Sequence, residues 1–278
     1  MRVALLANPE SGDGEGTQVD RLLAGRGVDV KVFDLDRCDA AIETSPDRIA
    51  VAGGDGSIAC AAEAAGRAGV PLAVIPVGTA NDFARAVGIP QEPGPAIELA
   101  VDGSRTRRLD LGLAGERPFV NAVSAGLSPD AARNAHGLKR LLGPFAYAAG
   151  AVRAGLTTAP VRCEVRCDGE TLFSGRAWQV TVGLTGAFGG GAEVEADPRD
   201  GLLDVVVIEA GSRLRLIAHA YGMRVGSIED QQGVVTGSGR EVEVVTAGGT
   251  GFNVDGELVE AERLRLSLRP RAYDVVVG

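Results

Sequence analysis

Apolar and polar positions fall into two regimes along the chain. Up to about residue 110, short apolar runs alternate with stretches of helical spacing, the signature of a parallel α/β sheet. The strand-like runs are residues 2–7, 28–33, 49–52 and 70–77. The helical stretches are residues 17–24, the alanine-rich 58–68 with Gly69 as its stop signal, and 79–87, ended by Gly88-Ile89-Pro90. From about Arg105 alternation takes over, in residues 108–113, 161–167, 172–182, 202–208, 241–245 and 263–268. That pattern predicts antiparallel strands. Helical spacing interrupts it at residues 130–156 and 214–225. The expected architecture is α/β plus all-β. An α/β domain of parallel strands occupies residues 1–112, and a C-terminal strand at 270–278 can return to it. A β-rich, sandwich-like domain occupies residues 113–269, with a cleft between the two.

Composition narrows the function classes. The 278 residues are 45% hydrophobic and 23% charged, ordinary for a soluble protein with real cores. A net charge of −9 argues against nucleic acid as the main partner and against a polybasic membrane anchor. No apolar stretch is long enough to span a bilayer, and Met1 to Leu6 run straight into Asn8-Pro9 with no secretory signal. A cytoplasmic protein is expected. Cys38, Cys60, Cys163 and Cys167 lack zinc-type spacing and a histidine companion, so reduced thiols are expected. His136 and His219 stand alone and receive no catalytic role.

The candidate chemistry lies in turns. Gly53-Gly54-Asp55-Gly56-Ser57 and Gly78-Thr79-Ala80-Asn81-Asp82 each follow an apolar strand and open a helix. Open α/β sheets bind ligands at such strand ends. Glycines admit a phosphate closely, a helix N-terminus offers free N–H groups, and Ser57 adds a hydroxyl. Asp55 repels phosphate, so it suits a magnesium ion or a nucleotide hydroxyl. The structural alternatives are Ser57 and Thr79 as plain helix caps. The loop lacks the Gly-Lys-Ser/Thr ending of a P-loop and the Rossmann glycine spacing. Asn8-Pro9-Glu10-Ser11-Gly12-Asp13-Gly14 after the first strand is either another close-approach loop or an ordinary surface turn. Asp255-Gly256 is, by itself, a common hairpin turn.

In order along nearly the whole chain, these motifs resemble those of the diacylglycerol kinase catalytic-domain family, which includes soluble bacterial lipid kinases. The resemblance rests on Asn8-Pro9-x-Ser11-Gly12, Gly53 to Ser57, and Pro76 to Arg85. It continues through Leu109-Asp110-Leu111-Gly112, Gly143 to Tyr147 and Gly190-Gly191, then Asp200 to Asp204 and Asn253 to Glu257. Gly-Gly-Asp-Gly is also shared with NAD kinases and 6-phosphofructokinases.

The resemblance implies an ATP- and Mg2+-dependent lipid kinase with its nucleotide in the cleft. It implies that Asn8, Pro9, Ser11, Gly12, Gly54, Asp55, Gly56, Ser57, Thr79, Asn81 and Asp82 line the nucleotide site. Asp55, Asp82 and Asp110 would lie near the magnesium or the attacking hydroxyl. Glu257, with Asp255 second, would accept the proton. A structural metal would take Asp200 with backbone carbonyls of Asp197 and Leu202. The implied partners are a diacylglycerol-like lipid and, transiently, the membrane surface, which residues 138–156 are placed to meet; a homodimer stays open. Relatives carry Asn-Glu where this chain has Ala59-Cys60, which keeps a catalytically degenerate nucleotide- or lipid-binding protein as an alternative. NAD kinase is the other.

Overall fold

The computed structural model describes residues 1–7, 15–78, 80–127, 159–188, 192–212, 231–248 and 251–278. Its first half is built on β1 (Arg2–Ala7), β2 (Asp29–Phe33), β3 (Arg48–Gly53) and β4 (Leu72–Pro76), all parallel in the order β2-β1-β3-β4. Successive residues of a strand face opposite sides of the sheet, so β1 feeds two cores. Val3, Leu5 and Ala7 pack with Leu23 of α1 (Glu15–Ala24) and Ile97 of α5 (Pro93–Asp102). Ala4 and Leu6 pack on the other face, with Ala41 of α2 (Cys38–Glu43), Ile58 of α3 (Asp55–Ala68) and Phe83 of α4 (Asp82–Val87).

The second half is antiparallel. It comprises β5 (Thr106–Ala114), β6 (Arg117–Phe119), β7 (Ala122–Gly126), β8 (Val161–Cys167) and β9 (Glu170–Gly183). The short pair β10 (Ala187–Phe188) and β11 (Ala192–Glu193) stands apart from the main sheet. Then come β12 (Leu203–Glu209), β13 (Val234–Gly239), β14 (Glu241–Thr246), β15 (Phe252–Val254), β16 (Glu257–Val259) and β17 (Arg263–Val276). Phe119, Val180, Val182, Val205, Val207, Val244, Phe252 and Leu266 share its core.

One strand joins the halves. The start of β17 pairs with β14, Leu266 opposite Val242, and with β5, Ser267 opposite Leu113. Its register with β5 shifts between Arg269 and Tyr273, where Arg271 has φ +51. It then resumes beside β5 and meets β4 in parallel, Val275 opposite Leu72. A bulge bends and twists a strand, and here it turns one strand from the antiparallel region into the parallel one.

Several elements differ from the sequence expectation. The second turn enters its helix only at Asp82, because Asn81 sits in the left-handed region at φ +50. α2 and α5 were not anticipated; α5 begins on Pro93, whose missing N–H costs nothing in a first helical turn. The sulfurs of Cys38 on α2 and Cys60 on α3 lie against each other, and both reach the Leu35 carbonyl, at 3.3 and 3.4 Å, a contact the sequence reading did not anticipate. Spacing hid it, since the partners are 22 residues apart. Cys163 and Cys167 are free, and burial pushes both thiols up to about 11. The expected helices at 130–156 and 214–225 lie outside the described residues.

α3 approaches β17 so closely that a Cβ at Gly66 would run into the carbonyl oxygen of Ala272. Alanine gains about 1 kcal/mol over glycine in a helix interior, while overpacking against unyielding backbone costs about 1–3 kcal/mol or more. Gly66→Ala is therefore expected to lower stability by about 1–2 kcal/mol. Urea unfolding would show a lower midpoint, and a raised midpoint would mean that α3 slides freely on β17.

Candidate active site

β3 ends at Gly53, and Gly54, at φ −93 and ψ −173, precedes the first turn of α3 with no side-chain cap. The first N–H groups of a 14-residue helix therefore point outward without a side-chain acceptor, which favours an anion. Ser57 is not the cap. It lies within the first turn and folds back on Gly53, where a Cβ would stand 2.7 Å from its Oγ. The two glycine turns touch: a Cβ at Gly78 would lie 2.7 Å from the Cα of Gly54 and 2.8 Å from Asn81 Oδ1. Asn81 Oδ1 is buried with no hydrogen-bond partner. Asn8, Pro9, Ser11, Gly12 and Thr79 lie outside the described residues, as do Gly143 to Tyr147 and Gly190-Gly191.

Asp55 binds the turns together. Its Oδ2 accepts the N–H of Asp82 at 3.1 Å, and its Oδ1 accepts the N–H of Phe83 at 2.8 Å. It thus caps α4 from a different loop, a task the left-handed Asn81 does not perform. The side-chain amide of Asn121 donates to the same Oδ1 at 3.0 Å. Asp82 is buried and paired with Arg85 at 2.8 Å, and Arg85 also donates to the Ala80 carbonyl.

Asp255 opens the two-residue turn between β15 and β16, and Glu257 follows it as the first residue of β16. Asp255 and Gly256 have φ +47 and +94, the conformation a two-residue hairpin loop favours. The turn sends the two carboxylates different ways. Asp255 accepts the backbone N–H groups of Val120, Asn121 and Ala122 at 2.6, 3.0 and 3.0 Å. Burial pushes its carboxyl up to about 7, against the pull of those three donors, and Asp55 adds a like charge. Glu257 is exposed and ion-paired with Arg117 of β6. A Cβ at Gly56 would lie 3.1 Å from Glu257 Oε1, so this carboxylate stands over the first turn of α3.

Sequence reasoning missed Asn121 and Arg117. Asn121 is buried, and its Oδ1 accepts the Thr185 hydroxyl at 2.8 Å while its amide holds Asp55 and its N–H holds Asp255. The signal available was a lone Asn in Phe119-Val120-Asn121, an apolar stretch where a polar side chain needs partners.

The remaining expected residues lie elsewhere. Asp110 is fully buried, and its oxygens accept the N–H groups of Gly201 at 2.9 Å and Arg271 at 2.6 Å. It clips β5 to the turn before β12 and to the bulge of β17. Asp197 makes two bonds of 2.7 Å with Arg199, which hold its carboxyl below the usual range. Asp200 accepts the Leu202 N–H at 2.9 Å. Beside them Asp204 is half-buried, and desolvation with Asp200, Glu195 and Asp197 nearby pushes it up to about 6.

Magnesium commonly takes one or two carboxylates and completes its shell with water and substrate phosphates. Among the described residues no three His, Cys, Asp or Glu side chains gather as a metal cage. The oxygens of Asp55 and Asp110 are already engaged by protein donors. The uncapped α3 turn fits a phosphate; Asp110, fully buried, is closed to a hydrated ion, and both oxygens of Asp55 rest on protein donors.

Comparison with known proteins shows the family and the fold. Residues 2–114 match the diacylglycerol kinase catalytic domain, and residues 121–277 match the YegS C-terminal NAD kinase beta sandwich-like domain. A Pseudomonas putida protein named "Probable lipid kinase YegS-like" is 33% identical over 243 residues, covering 84% of this chain and 77% of its own. A Klebsiella pneumoniae protein of the same name is 31% identical over 265 residues, covering 90% and 87%. Among solved structures, a Bacillus anthracis chain superimposes with a TM-score of 0.81 at 22% identity, covering 100% of this chain and 95% of that one. The sequence match is with the family, and the structural match is with its fold.

Asp204 gives the site region a pH signature. A carboxyl raised from 3.8 to about 6 binds its proton more tightly folded than unfolded, so stability falls as pH climbs from about 4 to 6 and stays lower above. Asp204→Asn removes that loss. After discounting for its exposed half, the gain is about 1 kcal/mol at pH 8, and none is expected below pH 4. Urea titrations at both pH values check the sign; equal gains at each would mean the effect is not ionisation.

Proposed function

Since the chain belongs to the diacylglycerol kinase catalytic-domain family, in its YegS-like branch, we propose that it transfers the γ-phosphate of ATP to the free hydroxyl of diacylglycerol or a similar lipid. The observation that carries this reading is the position of Glu257 above Gly56, an exposed carboxylate facing the uncapped first turn of α3. An anion site and a proton acceptor side by side are what hydroxyl phosphorylation requires.

The division of labour follows from the contacts. The first-turn N–H groups from Gly54 to Gly56 hold the triphosphate, while the Ser57 N–H is donated to the Gly54 carbonyl. Magnesium, when bound with the nucleotide, offsets phosphate charge. Arg85, held by Asp82, presents a guanidinium next to the second turn. Glu257, steadied by Arg117, accepts the lipid hydroxyl proton as that oxygen attacks phosphorus. Asp255 is poorly placed for the proton, because three N–H groups already occupy its oxygens; it fixes the backbone of residues 120–122. Asp110 fixes the β17 bulge and the turn before β12.

The lipid would be met at the membrane surface by a protein working from the cytoplasm. Among the described residues no helix is long and apolar enough to cross a membrane. The candidate acyl-contact segment, 138–156, lies outside the described residues. At the departure, Ala59 is buried in the core and Cys60 meets Cys38 of α2. Nothing there favours the non-catalytic alternative.

With ATP, magnesium and a panel of lipids in mixed micelles, phosphate transfer to a lipid hydroxyl is expected. Glu257→Gln should lower kcat by about 100-fold or more, the scale of a lost general base. It keeps a hydrogen bond to Arg117, so nucleotide affinity should change less than about threefold, within the energy of one neutral hydrogen bond. A folded wild-type chain that phosphorylates no lipid would refute the reading. Full turnover by Glu257→Gln would remove only the assigned base.

A further inference from the structure

Cys60 lies where the chain departs from its relatives, and phosphate transfer as proposed makes no use of it. It is half-buried in α3, and its sulfur lies against that of Cys38, the half-buried first residue of α2. Both sulfurs reach one acceptor, the Leu35 carbonyl, Cys38 at 3.3 Å and Cys60 at 3.4 Å. A carbonyl oxygen has two lone pairs, so this one holds both S–H groups and keeps the reduced pair together. Leu35 opens the short 3-10 turn, Leu35–Arg37, that leads into α2.

Little else holds α2. Of its six residues only Ala41 is buried, and its charged link to α3 among the described residues is the exposed pair of Asp39 with Arg67. The apolar face of α3 shares its core with Ala41, through Ile58, Ala61, Ala62 and Ala65. Local opening is easiest where few buried contacts oppose it.

We propose that Cys38 and Cys60 form a reversible disulfide that latches α2 onto α3, with hydrogen peroxide as the oxidant. One thiolate attacks a peroxide oxygen and breaks the O–O bond. That sulfur becomes a sulfenic acid, and the departing hydroxide takes up a proton as water. The second thiolate attacks the sulfenic sulfur, forming the S–S bond and expelling a second hydroxide, which also leaves as water. Two thiols are oxidised and one peroxide is reduced to two waters. A thiol reductant reverses the change by exchange.

Proximity selects this pair. Its α-carbons stand 7.2 Å apart, just beyond the usual span of a bridged pair, so closing the bond draws α2 toward α3. The thinly packed α2 is the element able to make that movement. Cys163 and Cys167 cannot substitute. Burial pushes both thiols up to about 11, which leaves few thiolates at neutral pH, and their positions along the extended β8 keep them apart. The bond joins residues 22 apart in the chain, so it restricts the opened state and suppresses the opening of α2. The latch rests on the fold and is independent of the kinase reading.

Peptide mapping tests it. The whole chain is reduced, treated with hydrogen peroxide while folded, blocked with an alkylating reagent and mapped by mass spectrometry without reductant. A peptide cross-linked through Cys38 and Cys60 is expected, with Cys163 and Cys167 alkylated, and dithiothreitol should restore all 4 thiols. Hydrogen exchange at the α2 amides should slow about tenfold or more on oxidation. Cys38→Ser and, from the other helix, Cys60→Ser should each abolish both the cross-link and the slowing, with circular dichroism showing that they are folded. Separate sulfinic acids at the two residues, a cross-link that dithiothreitol cannot reduce in the folded protein, or α2 exchange indifferent to the bond would each overturn the proposal. None of these readouts depends on phosphate transfer.

Discussion

The Asp55 carboxylate is the junction on which the candidate site depends. It lies in the first turn of one helix, caps a second helix, and receives the amide of Asn121 from the antiparallel half. A charged acceptor bound to N–H donors makes stronger bonds than a neutral one, and partial burial shields them from competing water. Three segments with no local reason to meet are thereby held within one side chain's reach. The glycines make this geometrically possible. Gly54 and Gly78 touch at the backbone, so any side chain at Gly78 would push apart the turns that Asp55 joins. Neither feature suffices alone: the contact without the carboxylate leaves α4 uncapped, and the carboxylate without the contact could not span the gap.

The same logic recurs on a larger scale in β17. Its bulge carries the chain from antiparallel partners to a parallel one, and Asp110 fixes that bulge by accepting the Arg271 N–H. The second oxygen of Asp110 holds Gly201, so the acidic turn at Asp197 to Asp204 is tied to the seam. α3 rides on this seam at Gly66. The helix that presents its N-terminus to the site is therefore set by β3 at one end and by β17 near the other. A displacement of the antiparallel half relative to the parallel half would be felt at the α3 turn through both contacts.

Most of the longer strands and their sense were legible in the chain because burial imposes periodicity directly, whereas β6, β7, β13, β15 and β16 were not anticipated. Alternation in Val161 to Cys167 and the alanine face of α3 record which side meets a core. The glycine turns were legible as a site because three glycines in five residues have few structural uses. What could not be read was who satisfies whom. Ser57 and Thr79 were reasonable caps for their own helices, yet α4 takes its cap from Asp55, 27 residues away from the N–H it accepts. Asn121 carries no motif; its importance comes from three partners on different segments. The Cys38–Cys60 pair was hidden likewise, since α2 was too short and too weakly patterned to be seen as the surface α3 packs on. Local pattern reports burial, while long-range polar pairing leaves little trace in it.

The hairpin at Asp255-Gly256 shows how one turn can give two adjacent acids unlike properties. Spacing of two along a straight strand would have set Asp255 and Glu257 on one face, competing for one role. The left-handed pair Asp255 and Gly256 breaks that symmetry. Asp255 goes inward to three N–H groups, where burial lifts it to about 7. Glu257 goes outward, toward Gly56 and Arg117. A proton acceptor needs a free oxygen and access to substrate, and only Glu257 has access. A residue that orders the backbone needs every oxygen engaged, and Asp255 meets that condition. The hairpin turn thus separates a carboxylate that orders the backbone from one left accessible at the candidate site.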